Sequence, residues 1–334
     1  MISRAARRLE AASAARVLVL DGAYGTQFRT LDLAEPAFRD EALATHPTPL
    51  KGNYELLNLT RPAIVRGVHD AYLEAGADII ETNSFNANRI IQGDFGLAAR
   101  AAEMARAGAA IARAAADAAM AAAPTHPRFV AGALGVTRRN PARKGSNSPP
   151  GFSGEDDQDV RAAIGEAAGA LIEGGVDLLL IETVTSSRNA RLAIEAARQA
   201  MAGRHADLPI VVSGTIGADG RFESGETIET FVASLADFEL HALGLNCALA
   251  ARELAPYVAA LAGRTQARLW LYPNAGYPDE AGRYHENAAD TAAALRAIAA
   301  QVSVNAVGAC CGSTPAHIEA LANAVAGLRP RAVA

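Results

Sequence analysis

Cys310 and Cys311 stand side by side between glycines in GACCGSTP, residues 308 to 315, and the third cysteine of the chain, Cys247, ends the apolar run ALGLNC. Taken singly, each cysteine is explained as a small buried hydrophobe. Taken together they admit three chemistries. A vicinal disulfide between Cys310 and Cys311 would close a strained ring, out of keeping with a reducing compartment. A nucleophilic thiol wants a histidine base, and the seven histidines, at positions 46, 69, 126, 205, 241, 285 and 317, avoid the segments that carry the cysteines. The third is a zinc site of three thiolates, for which Gly308 and Gly312 would let the Cys310-Cys311 turn kink. Three protein ligands leave the fourth tetrahedral position open, as in a catalytic zinc centre. A free thiol of pKa ~8.5 is only about 3% ionised at pH 7, and coordination deprotonates it outright, so such a centre suits activation of a substrate thiol.

The elements that must hold these residues recur along the chain. Eight short runs of continuous apolar character are followed by Ala-rich stretches with helical spacing: VLVLDGAYG (17 to 25), DIIETNSFN (78 to 86), RFVAGALG (128 to 135), DLLLIETV (177 to 184), PIVVSGTI (209 to 216), ALGLNC (242 to 247), RLWLYPNAG (268 to 276) and VNAVGACCG (304 to 312). Strand then helix, eight times, predicts an α/β fold of the (β/α)8 TIM-barrel type. A doubly wound open sheet is disfavoured, because DGAYGT after the first strand does not match G-x-G-x-x-G. The spacing predicts helices over 62 to 75, 98 to 121, 158 to 174, 187 to 202, 249 to 262, 287 to 301 and 315 to 326, and a short one within 227 to 238. Residues 1 to 16 form an N-terminal extension with a helical pattern, and residues 17 to 330 form one barrel domain. Insertions are expected in the first βα loop, roughly 26 to 60, and in the third, 140 to 157, where NPARKGSNSPPGFSGEDD is too rich in Gly, Pro and Ser for a regular element.

Barrel active sites sit at the C-terminal ends of the strands, so those endings form one list of candidates. They are Asp21-Gly22, Glu81-Thr82-Asn83, Gly132 to Gly135, Glu182-Thr183, Ser213-Gly214-Thr215, Asn246-Cys247, Asn274 and Cys310-Cys311. All three cysteines fall on it, which strengthens the zinc reading of Cys247, Cys310 and Cys311. A net charge of -5 with no long basic run argues against nucleic acid as a partner. No apolar stretch approaches the roughly 20 residues needed to span a bilayer, so no membrane association is expected. Three cysteines are too few and too odd in number for a secreted disulfide framework, and a cytoplasmic location is expected.

The stretches LVLDGAYGTQ, LKGNYELLNLTRP, YLEAGADIIETNSFNANRI, LLLIETV, VVSGTI, GLNCAL, YPNAG and GACCGSTPAHI resemble the homocysteine S-methyltransferase family from about residue 17 to about 327. LKGN and GADIIETNSFN resemble more narrowly the homocysteine-binding module of cobalamin-dependent methionine synthase. The resemblance implies a barrel in which zinc, held by Cys247, Cys310 and Cys311, binds homocysteine through sulfur. It also implies that Asp21-Gly22 and Glu182 hold the amino acid end of homocysteine, and that Asn274 lies beside the zinc and fills its open position before substrate arrives. Ser213 and Thr215 are further candidates for substrate contact.

Where the family has DGG and GGCCG, this chain has Ala23 and Ala309, so both turns must tolerate a Cβ, at modest cost if φ is negative there. No folate-binding or cobalamin-binding module is recognisable beside the barrel. The expected role is therefore the homocysteine-activating component of a split methionine synthase. Its methyl group would come ultimately from 5-methyltetrahydrofolate, through methylcobalamin carried by a separate folate- and cobalamin-binding subunit. The alternatives are a cobalamin-independent transferase using S-methylmethionine or betaine, and a non-catalytic barrel that binds zinc or homocysteine.

Overall fold

The structure, a computed structural model, describes residues 4–135 and 157–333. Eight parallel strands occur in the predicted places: β1 (Leu18–Val19), β2 (Ile79–Glu81), β3 (Phe129–Gly135), β4 (Leu178–Val184), β5 (Ile210–Gly214), β6 (Ala242–Ala250), β7 (Arg268–Asn274) and β8 (Ala306–Val307). Each pairs with its sequence neighbours, and β1 also pairs with β8. A bridge from Leu20 to Ile79 joins β1 to β2 and closes the barrel. Apolar side chains pack in two layers. Leu18, Ile79, Phe129, Leu178, Leu180 and Trp270 meet inside the barrel. The alternate residues, such as Val130, Leu179 and Val212, meet the helices outside. Burial on both faces is why the strands read as unbroken apolar runs.

The helices, in chain order, are α1 (Arg4–Ala15), α2 (Tyr24–Thr30), α3 (Leu57–Thr60), α4 (Pro62–Glu74), α5 (Arg89–Gly93), α6 (Ala101–Ala122), α7 (Asp157–Gly174), α8 (Ser187–Ala202), α9 (Ile228–Ser234), α10 (Ala251–Ala262), α11 (Ala288–Val302) and α12 (Pro315–Val325). Proline at the first helical position opens α4 and α12, where its missing N–H is not needed. Side chains of Asn88, Ser186, Thr227 and Asn287 cap α5, α8, α9 and α11. The N-terminal helix α1 is more than a surface extension, since its Leu9 joins the interior layer of the barrel. Just after α1, Arg16 and His126 both bind the buried Asp78 carboxylate, which also accepts from the Val19 amide.

The first insertion is not a solvated loop. It runs through α2, three single 3-10 turns and α3, and buries Phe28, Phe38, Leu50 and Leu56. Glu35 ties it together by accepting from the amides of Leu50 and Lys51 and pairing with Arg39. The second insertion, expected over 140 to 157, lies outside the described residues except for Asp157, which opens α7. Among the described residues no helix is long and apolar enough to cross a membrane.

Candidate metal centre and substrate cavity

At the C-terminal ends of the strands lies a cavity of about 310 Å3. Cys247, Cys310, Cys311 and Tyr272 line it, together with Glu81, Glu182 and Gly22. Tyr24, Tyr54 and Glu55, from the first insertion, enclose it further. The insertion therefore builds part of the site.

Every pair of the three sulfurs lies within 4.8 Å, and Cys247 Sγ and Cys311 Sγ are 4.0 Å apart. A tetrahedral zinc with sulfur ligands at about 2.3 Å holds them about 3.8 Å apart, so the donor set fits that ion. No other group of three or more His, Cys, Asp or Glu among the described residues is gathered in this way. The thiols of Cys247 and Cys310 hydrogen-bond to Cys311 and hold it below the usual thiol range, while the same crowding pushes Cys310 well above it. Three such sulfurs cannot all ionise without a cation between them.

The turn that carries the pair is fixed from both sides. Cys310 N donates to Pro273 O at 2.6 Å, and Ala275 N donates to Cys311 O at 2.9 Å, so the end of β7 brackets the dipeptide. Gly312 is left-handed, with φ +87°, and a Cβ there would fall 2.4 Å from Tyr284. Gly308 is glycine for a different reason, a Cβ being 2.5 Å from Leu20. Ala23 has φ -68°, and Ala309 is absent from the positive-φ residues, so both departures from the family pattern are accommodated without backbone strain. Asn274, between Pro273 and Ala275, is buried with its side-chain oxygen unpartnered.

Three carboxyls also crowd together. Burial, then the neighbouring Glu81 carboxylate, pushes Asp21 and Glu182 well above the usual carboxyl range. Burial pushes Glu81 up to about 7. Asp21 accepts from the Glu81 amide at 2.9 Å and from the Tyr24 hydroxyl at 2.5 Å, and its other oxygen is unpartnered. Like-charged groups this close favour a cationic guest. The cavity thus presents both sulfur ligands and surplus acid, a chemistry matched to a small thiol that carries an ammonium group.

Of the residues singled out in the sequence, Gly22, Glu182, Cys247, Cys310 and Cys311 line this cavity. Asp21 lies just behind it, bonded to Tyr24 and Glu81, both of which do line it. Ser213 is fully buried and gives its hydroxyl to Asn246, while Thr215 lines a neighbouring depression that meets the cavity at Thr183 and Cys247. Residues that sequence reasoning did not single out complete the site. His69 on α4 accepts or donates at Tyr24 Oη across 2.8 Å, and burial lowers its pKa to about 3, so a neutral histidine does reach an acid at a strand end, through a tyrosine. Glu81, Glu55 and Tyr272 also line the cavity. Glu81 sat in the list of strand endings and was the one signal available for it.

Comparison with known proteins agrees with this geometry. Residues 18–325 match the family model described as homocysteine S-methyltransferase. The oxidised form of the homocysteine methyltransferase MmuM from Escherichia coli is similar at 25% identity, with a TM-score of 0.69, covering 91% of this chain and 94% of that one. Its metallated form gives 25% identity and a TM-score of 0.69, covering 92% of this chain and 96% of that one. With 308 of its residues spanned by one family model and three thiols gathered at the mouth of its barrel, the chain belongs to the homocysteine S-methyltransferase family, whose members methylate the sulfur of homocysteine.

Proposed function

We propose that this protein is a zinc-dependent homocysteine S-methyltransferase that forms methionine in the cytoplasm, with Cys247, Cys310 and Cys311 as the ligands of the ion. The observation that carries this reading is the approach of three sulfurs from two distant segments to within 4.8 Å in a cavity that Glu81 and Glu182 also line. The unpartnered oxygen of Asn274 supplies a fourth donor for the ion before substrate arrives. When bound, zinc would supply the deprotonation of the substrate thiol at neutral pH.

The remaining work falls to the chain. Glu182 and Glu81, with Asp21 behind them, hold the ammonium of homocysteine, since three crowded carboxyls gain more from a cation than from one another. Gly22 lines the cavity beside the amino acid end, and it is glycine because a Cβ there would meet Ser313 Oγ at 2.5 Å and Tyr72 Oη at 2.9 Å. Tyr24 keeps Asp21 oriented, and neutral His69 keeps Tyr24 oriented. Tyr54 and Glu55 enclose the cavity from the first insertion and limit the water that reaches the reacting sulfur.

For the methyl donor, the leading reading is methylcobalamin carried by a separate folate- and cobalamin-binding subunit. It rests on the GADIIETNSFN stretch, whose Glu81 to Asn86 form a continuous part of the cavity wall. A second reading is transfer from S-methylmethionine or betaine without cobalamin; the likeness to MmuM, a homocysteine methyltransferase, over 94% of that chain supports the acceptor in both readings. Protein purified anaerobically without chelator should hold one zinc per chain. Methionine formed with methylcobalamin supports the first donor, and methionine formed with S-methylmethionine or betaine alone replaces it with the second. Protein that holds no zinc and forms no methionine from homocysteine with any of these donors would overturn the whole proposal.

A further inference from the structure

Two strands change phase where they reach the site. Along β4, Leu178 and Leu180 face the barrel interior and Leu179 and Ile181 face outward. Continued alternation would place Glu182 inward, Thr183 outward and Val184 inward. Instead Glu182 and Thr183 both line the cavity, and Val184 packs in the outer layer. The switch is at Thr183, whose φ is +54°, where the register with β5 shifts between Ile181 and Val184. In β6, Leu243 and Leu245 face outward, so Cys247 should too, yet it lines the cavity. Cys247 and Ala248 have φ +59° and +52°, and the register with β7 shifts between Asn246 and Ala250. A β-branched residue at positive φ is an outlier that persists only where its surroundings over-determine it.

One side chain does this for Thr183. Asn246 is fully buried; its Oδ1 accepts from Thr183 N at 3.2 Å and from Ser213 Oγ at 2.7 Å, and its Nδ2 donates to Thr183 Oγ1 at 2.8 Å. The Thr183 backbone N–H, which can only donate, fixes which way the amide points. We propose that Asn246 is a positioning residue that clamps Thr183 in its left-handed conformation, and so turns both the neighbouring Glu182 on β4 and Cys247 on its own strand into the same cavity. The roles given to Glu182 and Cys247 rest on the function proposed above, while the clamp itself does not.

The test is a double-mutant cycle of Asn246→Ala and Thr183→Gly in the full chain, because glycine takes positive φ without help. Asn246→Ala should weaken homocysteine binding to the zinc-loaded protein by roughly tenfold, read by calorimetry, and lower the melting temperature by roughly 4 °C. Adding Thr183→Gly to Asn246→Ala should recover most of both losses. If Asn246→Ala is insoluble, the double variant should be soluble. Binding and stability unchanged in Asn246→Ala, or no recovery of either quantity or of solubility by Thr183→Gly, would show that the amide only fills space and overturn the clamp. Thermal unfolding needs no substrate, so a wild-type protein that bound no homocysteine would refute the proposed function and leave the cycle able to decide the clamp.

Discussion

Cys247 Sγ lies 4.0 Å from Cys311 Sγ, although 64 residues and the whole of β7 separate them along the chain. Neither cysteine can hold zinc usefully without the other. Cys247→Ser should lower zinc affinity by more than about a hundredfold, since changes outside the ligand set alone cost 10–100-fold. Metal content after dialysis against a graded chelator measures this; a variant that keeps its full zinc would remove Cys247 from the ligand set.

Glu182 should show opposite effects on binding and on stability. Its carboxyl is buried and faces Glu81 and Asp21, so Glu182→Gln removes a like-charge conflict and should raise the melting temperature. The same change removes a charge-assisted bond to the substrate ammonium, worth roughly 1.5–3 kcal/mol, or about ten- to a hundredfold in affinity. Calorimetry with homocysteine and a melting curve without it separate the two effects.

Glu81 should make stability depend on pH. Burial lifts its pKa from 4.5 to about 7, so between those values the folded state binds a proton that the unfolded state has lost. Its contribution is then full below about 4.5, and is lost as pH rises through about 7. Relative to wild type, Glu81→Gln in zinc-free protein should gain roughly 3 kcal/mol between pH 4.5 and pH 8. Urea unfolding at those two pH values checks it, and a pH-independent difference would place the titration elsewhere.

Asp78 tests the opposite end of the barrel. Burial alone would raise its pKa, but His126 and Arg16 hold it below the usual range, and its carboxylate also caps the Val19 amide. Asp78→Ala strands these partners and should cost about 3 kcal/mol of stability. Zinc binding in the surviving folded protein should be unchanged, because Asp78 lies at the N-terminal ends of the strands.

Much of the fold was legible because its strands are buried on both faces and its helices open with proline or a polar cap. Both are local properties of the chain. The candidate metal ligands were legible too, since the strand endings form a list and no cysteine of the chain lies outside it. Tyr24 and Tyr54, which reach the cavity from α2 and the turn before α3, and His69 on α4, which bonds Tyr24 from behind, were not, because nothing in their local pattern marks them.

By itself, the sequence determined the barrel, the three thiols and the acids of the site, because residue type and strand period are written along the chain. The tertiary structure decided which side chains enter the cavity. Strict alternation would turn Thr183 and Cys247 outward, and both line the cavity through left-handed residues in strands that shift register. At Thr183 that conformation is held by the buried amide of Asn246, a contact across 63 residues. Such strain persists only when a folded environment supports it, so it leaves no trace in periodicity.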